Sequence, residues 1–271
     1  MPELPEVETT RRGIYKYVVG KRITNILIRE RRLRWLIPKN LKEILKNTRV
    51  IKLTRRAKYL LFYTSKGCLI VHLGMSGSLR VVKNNQEHIK HDHVDFIFGS
   101  EYILRFHDPR KFGSILWTDK DPTSHKLIAH LGPEPLSEEF NDDYLYAKSK
   151  KHSLSIKSFI MNNKVVVGIG NIYANEALFL AGINPKCKVS RISKKRYKTL
   201  IASIKKILTK AITKGGTTLR DYVSGDGLPG YFANELKVYN RSGELCSKCK
   251  KKIKTIKQNQ RSTFYCAFCQ T

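Results

Sequence analysis

Acidic residues are the scarce component of this chain: 22 Asp and Glu stand against 52 Lys and Arg in 271 residues, a formal net charge of +30. A deficit that large attracts polyanions, with nucleic acid as the first candidate partner and an anionic membrane surface as its competitor. Long apolar runs are missing too. No stretch approaches the roughly 18 consecutive apolar residues of a membrane span. No basic amphipathic helix dominates, and the N-terminus has neither the charged nor the apolar region of a secretory signal. These absences argue for a soluble, cytoplasmic protein. Internal repeats and low-complexity tracts are also lacking. Basicity alone remains a weak sign, because a coding bias toward Lys, Ile and Asn produces the same charge without any anionic partner.

What is present is a composition that folds: 41% hydrophobic and 27% charged residues support sizeable cores. The length suits two domains at roughly 100 to 200 residues each. Residues 2–19 read as a helix through Val7, Arg11 and Ile14, with Pro5 near its first turn and acids at Glu6 and Glu8. Over residues 22–117 the pattern turns to short runs rich in Val, Ile, Leu, Tyr and Phe, such as 59–63, 68–73 and 102–106, separated by Gly, Asn and Asp. That is the signature of a β-sandwich or barrel. Residues 132–151 carry Pro133, Pro135 and an acidic run at 138–143, which marks a domain boundary. Helical spacing follows at 154–163, 172–181 and 194–214. The expected division is therefore a β-rich domain at 1–135, a linker at 136–150, a helical domain at 151–240 and a cysteine-bearing tail at 241–271.

In that tail Cys246, Cys249, Cys266 and Cys269 form C-x2-C-x16-C-x2-C, the spacing of a four-cysteine zinc ribbon. Each knuckle can present two thiolates to one tetrahedral ion, and about 25 residues cannot bury enough apolar surface to fold without such a staple. Two disulfides would use the same residues, and the missing secretory signal speaks against them. Cys68 and Cys187 lie far away in sequence and read as ordinary residues. Between the knuckles, 251–255 and 263–265 read as two strands of a hairpin that carries Arg261, a basic element suited to a DNA groove or phosphate.

The chain opens with Met-Pro-Glu-Leu-Pro-Glu-Val-Glu. Initiator Met is commonly trimmed before a small residue, which leaves Pro2 as a free secondary amine. An α-amino group has a reference pKa near 8 against about 10.4 for lysine, so far more of it is nucleophilic at pH 7. The positive end of a helix dipole favours the neutral amine further. Glu3, next to it, can manage protons. In the plainer alternative Pro2 only begins a helix and Glu3 complements its dipole, and these two residues alone do not separate the readings.

They separate when the N-terminus is read together with Arg55-Arg56-Ala57-Lys58-Tyr59-Leu60, His72-Leu73-Gly74-Met75-Ser76-Gly77, His91-Asp92-His93-Val94-Asp95, Asp108-Pro109-Arg110-Lys111-Phe112-Gly113 and Gly168-Ile169-Gly170-Asn171-Ile172-Tyr173. Together with Gly215-Gly216-Thr217-Thr218, Pro229-Gly230-Tyr231-Phe232 and the terminal cysteines, these motifs give a chain that resembles bacterial formamidopyrimidine-DNA glycosylases from end to end.

The resemblance implies a multidomain α+β fold: an N-terminal β-sandwich with a leading helix, then a C-terminal helix-two-turns-helix module with a four-cysteine zinc-finger hairpin holding one structural Zn2+. It implies a base-excision-repair enzyme acting on double-stranded DNA that contains oxidised purines (8-oxoguanine, formamidopyrimidines) or abasic sites, as a monomer and without a membrane. In the implied chemistry Pro2 attacks the sugar C1′ and forms a Schiff base while Glu3 donates a proton. Lys58 then assists the first elimination and Arg261 the second, and both also lie against phosphate. Met75, Arg110 and Phe112 match the residues that fill the gap left by a flipped nucleotide. His91 and Arg110 would contact backbone or base, Asn171 would help hold a phosphate at a helix N-terminus, and 217–222 resembles the loop that folds over the flipped base. A lone Met between glycines or a Phe before Gly is otherwise a core residue.

One departure stands at His152, where the family often has a basic residue. Lys151 is carried as the substitute DNA contact. The related endonuclease VIII group shares the fold and the Pro2 chemistry but prefers oxidised pyrimidines; the opening from Pro2 to Val7 and the set Met75, Arg110, Phe112 favour the purine enzyme. The rival of another class is a non-catalytic zinc-ribbon protein that binds nucleic acid through charge.

Overall fold

The computed structural model describes residues 2–99, 101–217 and 231–271. It divides into two compact units, Met1–Ala129 with Lys214–Ala233, and His130–Thr213 with Asn234–Thr271.

In the first unit, helix α1 (Leu4–Val18) starts at a capping box. The Glu3 N–H donates to the Glu6 carboxylate at 2.8 Å while the Glu3 side chain accepts from the backbone N–H of Glu6, so two of the orphan donors of a helix start are satisfied reciprocally. Leu4, Val7, Ile14 and Val18 form its buried face, each contributing roughly 1.5 to 3 kcal/mol on burial.

The strands that follow make two antiparallel sheets. One has the order β1 (Arg22–Ile23), β3 (Thr48–Arg56), β4 (Tyr59–Thr64), β5 (Gly67–His72), β9 (Ser114–Thr118), and the other β2 (Asn25–Ile28), β7 (Asp92–Ile97), β8 (Tyr102–His107), β6 (Ser78–Lys83). A short helix α2 (Leu41–Leu45) precedes β3. Val50, Leu60, Phe62, Val71 and Ile115 of the first sheet share one core with Leu79, Val94, Phe96, Leu104 and Phe106 of the second and with Val7 and Ile14 of α1. The alternation of apolar positions thus resolves into a sandwich, with α1 packed against β3, β4 and β6.

The second unit contains α3 (Asp142–Ser149), α4 (Ile156–Ile160), α5 (Asn171–Leu180), α6 (Lys194–Thr213) and the hairpin β10 (Lys254–Gln258), β11 (Arg261–Tyr265). Helix α5 packs on α6 and on β11. None of the helices among the described residues is long and apolar enough to cross a membrane.

Three expectations differ from what is found. Residues 136–150 hold helix α3, packed on α6, in place of a plain linker: within the polar run that looked like linker composition, Asn141 is the N-cap, its Oδ1 accepting the Tyr144 N–H at 2.9 Å, and Asp142 and Asp143 are first-turn carboxylates, both features favourable at the start of a helix. The helix expected at 154–163 stops at Ile160; beyond it the Lys164 N–H donates to the Asn162 side-chain oxygen at 3.0 Å and not to the Ile160 carbonyl that a continued helix would use. The division by chain order also fails at 214–233, which joins the first unit; there the Thr217 N–H donates to Glu6.

Replacing Asn141 by Ala should cost about 1 kcal/mol of local helix stability. Amide hydrogen exchange should quicken across α3 and stay unchanged in the sandwich, and protection unaltered at Tyr144 would rule out the cap as the reason this helix forms.

Candidate functional site

Pro2 and Glu3 are enclosed by the fold, and Glu6 ties them down with both carboxylate oxygens: Oε2 accepts the Glu3 N–H and Oε1 the Thr217 N–H, each at 2.8 Å. Gly216 makes this approach possible, since at φ +81° a Cβ there would stand 3.0 Å from Glu6 Oε1. One turn further along α1, Glu8 accepts from Arg11, Arg12 and Arg55 at 2.8 to 3.3 Å. Burial alone would raise its pKa, and the guanidinium bonds outweigh this and hold it below the usual carboxylate value. Arg55 also donates to the Ala57 carbonyl at 2.8 Å.

Ala57 and Lys58 are the two residues of the β3–β4 turn. Ala57 takes the left-handed conformation (φ +52°), a strained choice for a residue with a Cβ and costing about 1 kcal/mol, and Lys58 is left 9% exposed. The chain Glu8, Arg55, Ala57 therefore brings the Lys58 turn to the first turns of α1.

Sequence reasoning did not assign a role to His72, at the end of β5 opposite Tyr59, whose ring lies 4.8 Å from the imidazole. Its Nδ1 accepts the Gly74 N–H at 2.9 Å. Burial, then the charges of Lys58 and Arg34, push its pKa down to about 4, so near pH 7 it is neutral with Nε2–H as its donor. Its position opening the motif from His72 to Gly77 was the available signal.

Met75, Arg110 and Phe112 come together in space. The Met75 and Phe112 side chains are 39% and 44% exposed, which removes the core-packing alternative for both, and the Arg110 guanidinium lies 4.7 Å from the Phe112 ring centroid. Their two turns touch: a Cβ on Gly74 would fall 2.4 Å from the backbone of Phe112 and Gly113. His91, left-handed at φ +73°, stands with His93 and His107, ring centroids 6.1 Å apart in each pair.

In the second unit Asn171 opens α5 after Gly170, and its Nδ2 donates to the Ser262 carbonyl at 3.0 Å. The same carbonyl accepts from Lys157 Nζ at 2.9 Å, which also reaches Thr263 Oγ1 at 2.7 Å. Lys157 is only 2% exposed. It too went unassigned in the sequence, where one lysine among 52 Lys and Arg gives no sign of burial. Arg261, exposed at the start of β11, follows a two-residue turn in which Asn259 and Gln260 are both left-handed, the geometry of a type I′ hairpin. Asn171, Lys157 and Arg261 are thus gathered at one place. Lys151 is exposed just after α3, while His152 packs its ring 5.3 Å from Phe159. Of the loop expected at 217–222, residues 218–222 lie outside the described residues.

The four tail cysteines converge, with all sulfurs within 4.8 Å of one another. Cys249 to Cys266 is 3.4 Å and Cys246 to Cys269 is 3.9 Å, close to the ~3.8 Å between ligands of a tetrahedral zinc thiolate and far beyond a disulfide bond. Burial opposes ionisation of Cys246, but the N–H groups of Cys249 and Lys248 and the neighbouring thiols bring it down to about 7. Around the site Phe179, Val238, Ile253 and Phe264 form a small core. The set fits one zinc ion as a structural staple, with no position left for a substrate. Cys249→Ser should abolish stoichiometric zinc and loosen the hairpin while the sandwich stays folded; metal content by atomic emission together with near-UV dichroism checks this, and full zinc retention in the variant would contradict it.

Family models match three consecutive segments: the formamidopyrimidine-DNA glycosylase N-terminal domain at 1–115, the formamidopyrimidine-DNA glycosylase H2TH domain at 131–223, and the zinc finger found in FPG and IleRS at 243–271. The chain is 53% identical over 270 residues to the formamidopyrimidine-DNA glycosylase of Saccharophagus degradans, covering 100% of both chains. Its fold is similar to that of wild-type Lactococcus lactis Fpg bound to DNA containing N7-benzyl-Fapy-dG (TM-score 0.92, 36% identity, 99% of each chain). It is also similar to MutM in complex with DNA containing carbocyclic 8-oxo-G (TM-score 0.91, 37% identity, 99% of each chain). Three successive domain matches and full-length identity above half agree with the sandwich, the helical module and the cysteine cluster, and the chain belongs to the formamidopyrimidine-DNA glycosylase family.

Proposed function

We propose that this chain is a bifunctional enzyme of base excision repair, a DNA glycosylase for oxidised purines, among them 8-oxoguanine and formamidopyrimidines, and an abasic-site lyase, acting as a monomer in the bacterial cytoplasm. The observation that carries this reading is the tethered chain start: Pro2 and Glu3 are buried, held by Glu6, beside a turn that bears Lys58. Such care over a terminus has a purpose if the terminus reacts, since chain ends otherwise fray.

Once Met1 is removed, the neutral Pro2 nitrogen adds to C1′ of the damaged nucleotide, the bond from C1′ to the base breaks, and the base leaves with the electron pair and takes up the proton that the Pro2 nitrogen gives up. Glu3 delivers a proton to the sugar ring oxygen as the ring opens, leaving a Pro2 iminium at C1′. Loss of a C2′ proton then expels the 3′ phosphate, and a second elimination expels the 5′ phosphate. Water finally releases the sugar remnant from Pro2. Lys58 and the neutral His72 supply donors to phosphate at the first elimination, and Arg261 at the second. Lys157 holds the strand that carries Arg261. Met75 and Phe112 fill the gap of the extruded nucleotide and Arg110 bonds the orphaned base, since the amine has no approach to C1′ within an intact stack. His91, Lys151 and Asn171 contact the backbone. The zinc ion, when bound, supplies rigidity to the hairpin and no reaction step. Full-length similarity to glycosylases, in place of similarity to a ribbon alone, speaks against a purely binding role.

An uncleaved extension before Pro2 should leave DNA binding within a few-fold of normal while borohydride trapping on an 8-oxoguanine duplex disappears, and Pro2→Gly, which keeps a terminal amine, should lower trapping without abolishing binding. Normal trapping by the extended protein would refute the terminal nucleophile. Affinity should fall steeply with salt: with about five phosphate contacts at −0.9 each, less those made by neutral donors, the log-log slope should lie between roughly −3 and −4.5. A slope near zero in a salt titration by fluorescence anisotropy would contradict a backbone-tracking interface.

A further inference from the structure

Met75, His91, Arg110 and Phe112 sit on three separate chain segments, none within a regular element. The Met75 and Phe112 side chains are partly exposed, so their direction depends on how their segments are held, and one residue bonds to all three segments. Asp108 is fully buried. Its Oδ1 accepts the Ser76 hydroxyl at 2.8 Å and the Arg110 N–H at 3.3 Å, and its Oδ2 accepts the Gly113 N–H at 2.7 Å. The Asp108 N–H donates to the His91 carbonyl at 3.0 Å, and its own carbonyl accepts the Lys111 N–H at 3.2 Å and lies 2.8 Å from His93 Nε2.

Phe112 is therefore clamped on both sides, since the N–H groups of Lys111 and Gly113 both end on Asp108. Lys111 is the left-handed residue (φ +56°) that turns the segment back. Gly113 leaves no room for movement at the far end, where an added Cβ would fall 2.6 Å from the Phe106 ring and 2.8 Å from the His72 carbonyl. Through Ser76 the same carboxylate reaches the residue next to Met75.

We propose that Asp108 is the positioning residue of the gap-filling group: it locks the Met75 turn, the Arg110–Phe112 loop and the His91 corner into a single rigid probe. A probe ordered in advance spends little conformational entropy when it enters the base stack. The proposal rests on the gap-filling role given to Met75, Arg110 and Phe112. Asp108 itself touches neither DNA nor the reacting atoms in this reading; it acts through the wedge.

The isosteric change Asp108→Asn tests it, because an amide that keeps its oxygen on Gly113 turns its NH2 toward the Arg110 N–H, donor against donor. Ser76→Ala removes the Met75 link alone and serves as the second variant should D108N fold poorly. Single-turnover release of 8-oxoguanine from a duplex and strand cleavage at an abasic site in the same duplex are measured for D108N, S76A, the pair Met75→Ala with Phe112→Ala, and that pair combined with each. Base release should fall about tenfold in D108N and about threefold in S76A, with changes of about twofold or less at the abasic site. Added to the double wedge variant, S76A should cost nothing more and D108N only the smaller part that acts through Arg110 and His91, since residues acting through one element are not additive. Additive losses, or equal losses on the two substrates, would reduce Asp108 to a fold-stabilising residue and overturn the proposal. If the wedge pair lowers base release while D108N and S76A do not, the proposal falls and the gap-filling role stands. If the wedge pair releases base at the normal rate, the gap-filling role fails, and this inference with it.

Discussion

The carboxylate of Glu6 is the constraint on which the N-terminal arrangement depends. A chain end has no upstream neighbour to hold it, and a reactive group placed there would be spread over many conformations unless something inside the fold fixed it. Glu6 does so with one oxygen on the Glu3 N–H and the other on the Thr217 N–H. The first bond closes the capping box of α1, so the start of the helix, its dipole and the position of Pro2 are set together. The second joins the start of the chain to a segment more than two hundred residues away, within the stretch Lys214–Ala233 that belongs to the first unit.

Scarce acids used as internal fasteners recur through the molecule. Glu3, Glu6, Glu8, Asp92, Asp95, Asp108 and Glu176 are all buried. Asp95 is gripped by Arg105 and Arg29 at 2.8 and 2.6 Å, and Glu176 accepts the N–H groups of Lys237, Val238 and Tyr239 at 2.8 to 2.9 Å. A buried carboxylate is costly unless it is well bonded, and here the bonds go to backbone turns and guanidinium groups that need fixing. These seven of the 22 acids are thus taken up by the fold, and the formal charge of +30 remains to draw a polyanion.

The two families of turn residues divide the labour differently. At Ala57, His91 and Lys111 the backbone is left-handed without glycine, next to Lys58, Asp92 and Phe112, and each strained corner is bonded to a neighbour: half-buried Arg55 on the Ala57 carbonyl, buried Asp108 on His91 and Lys111. Strain of this kind persists only where the surroundings over-determine it, and here those surroundings are the elements that carry the candidate functional side chains. In the zinc hairpin the corner Asn259-Gln260 is held from below by a metal site, a small core and the Lys157 amine.

Period and spacing were enough to read the leading helix, the run of strands, the long helix α6 and the zinc ligands, because each depends on residues near one another in the chain. The C-x2-C pairs announce a tetrahedral site through local geometry alone, and the motifs from Pro2 to Cys269 carried the family. Residues 136–150 were misread because acids suit a linker and a helix N-terminus equally well, and only the packing of α3 on α6 decides between them. The burial of Lys157, the neutral His72 and the convergence of Met75, His91 and Phe112 on Asp108 were not legible. Whether a lysine is a surface charge or a buried donor, and whether an aspartate begins a turn or ties three turns together, is set by partners distant in sequence that only the closed sandwich and the docked hairpin bring within hydrogen-bond reach.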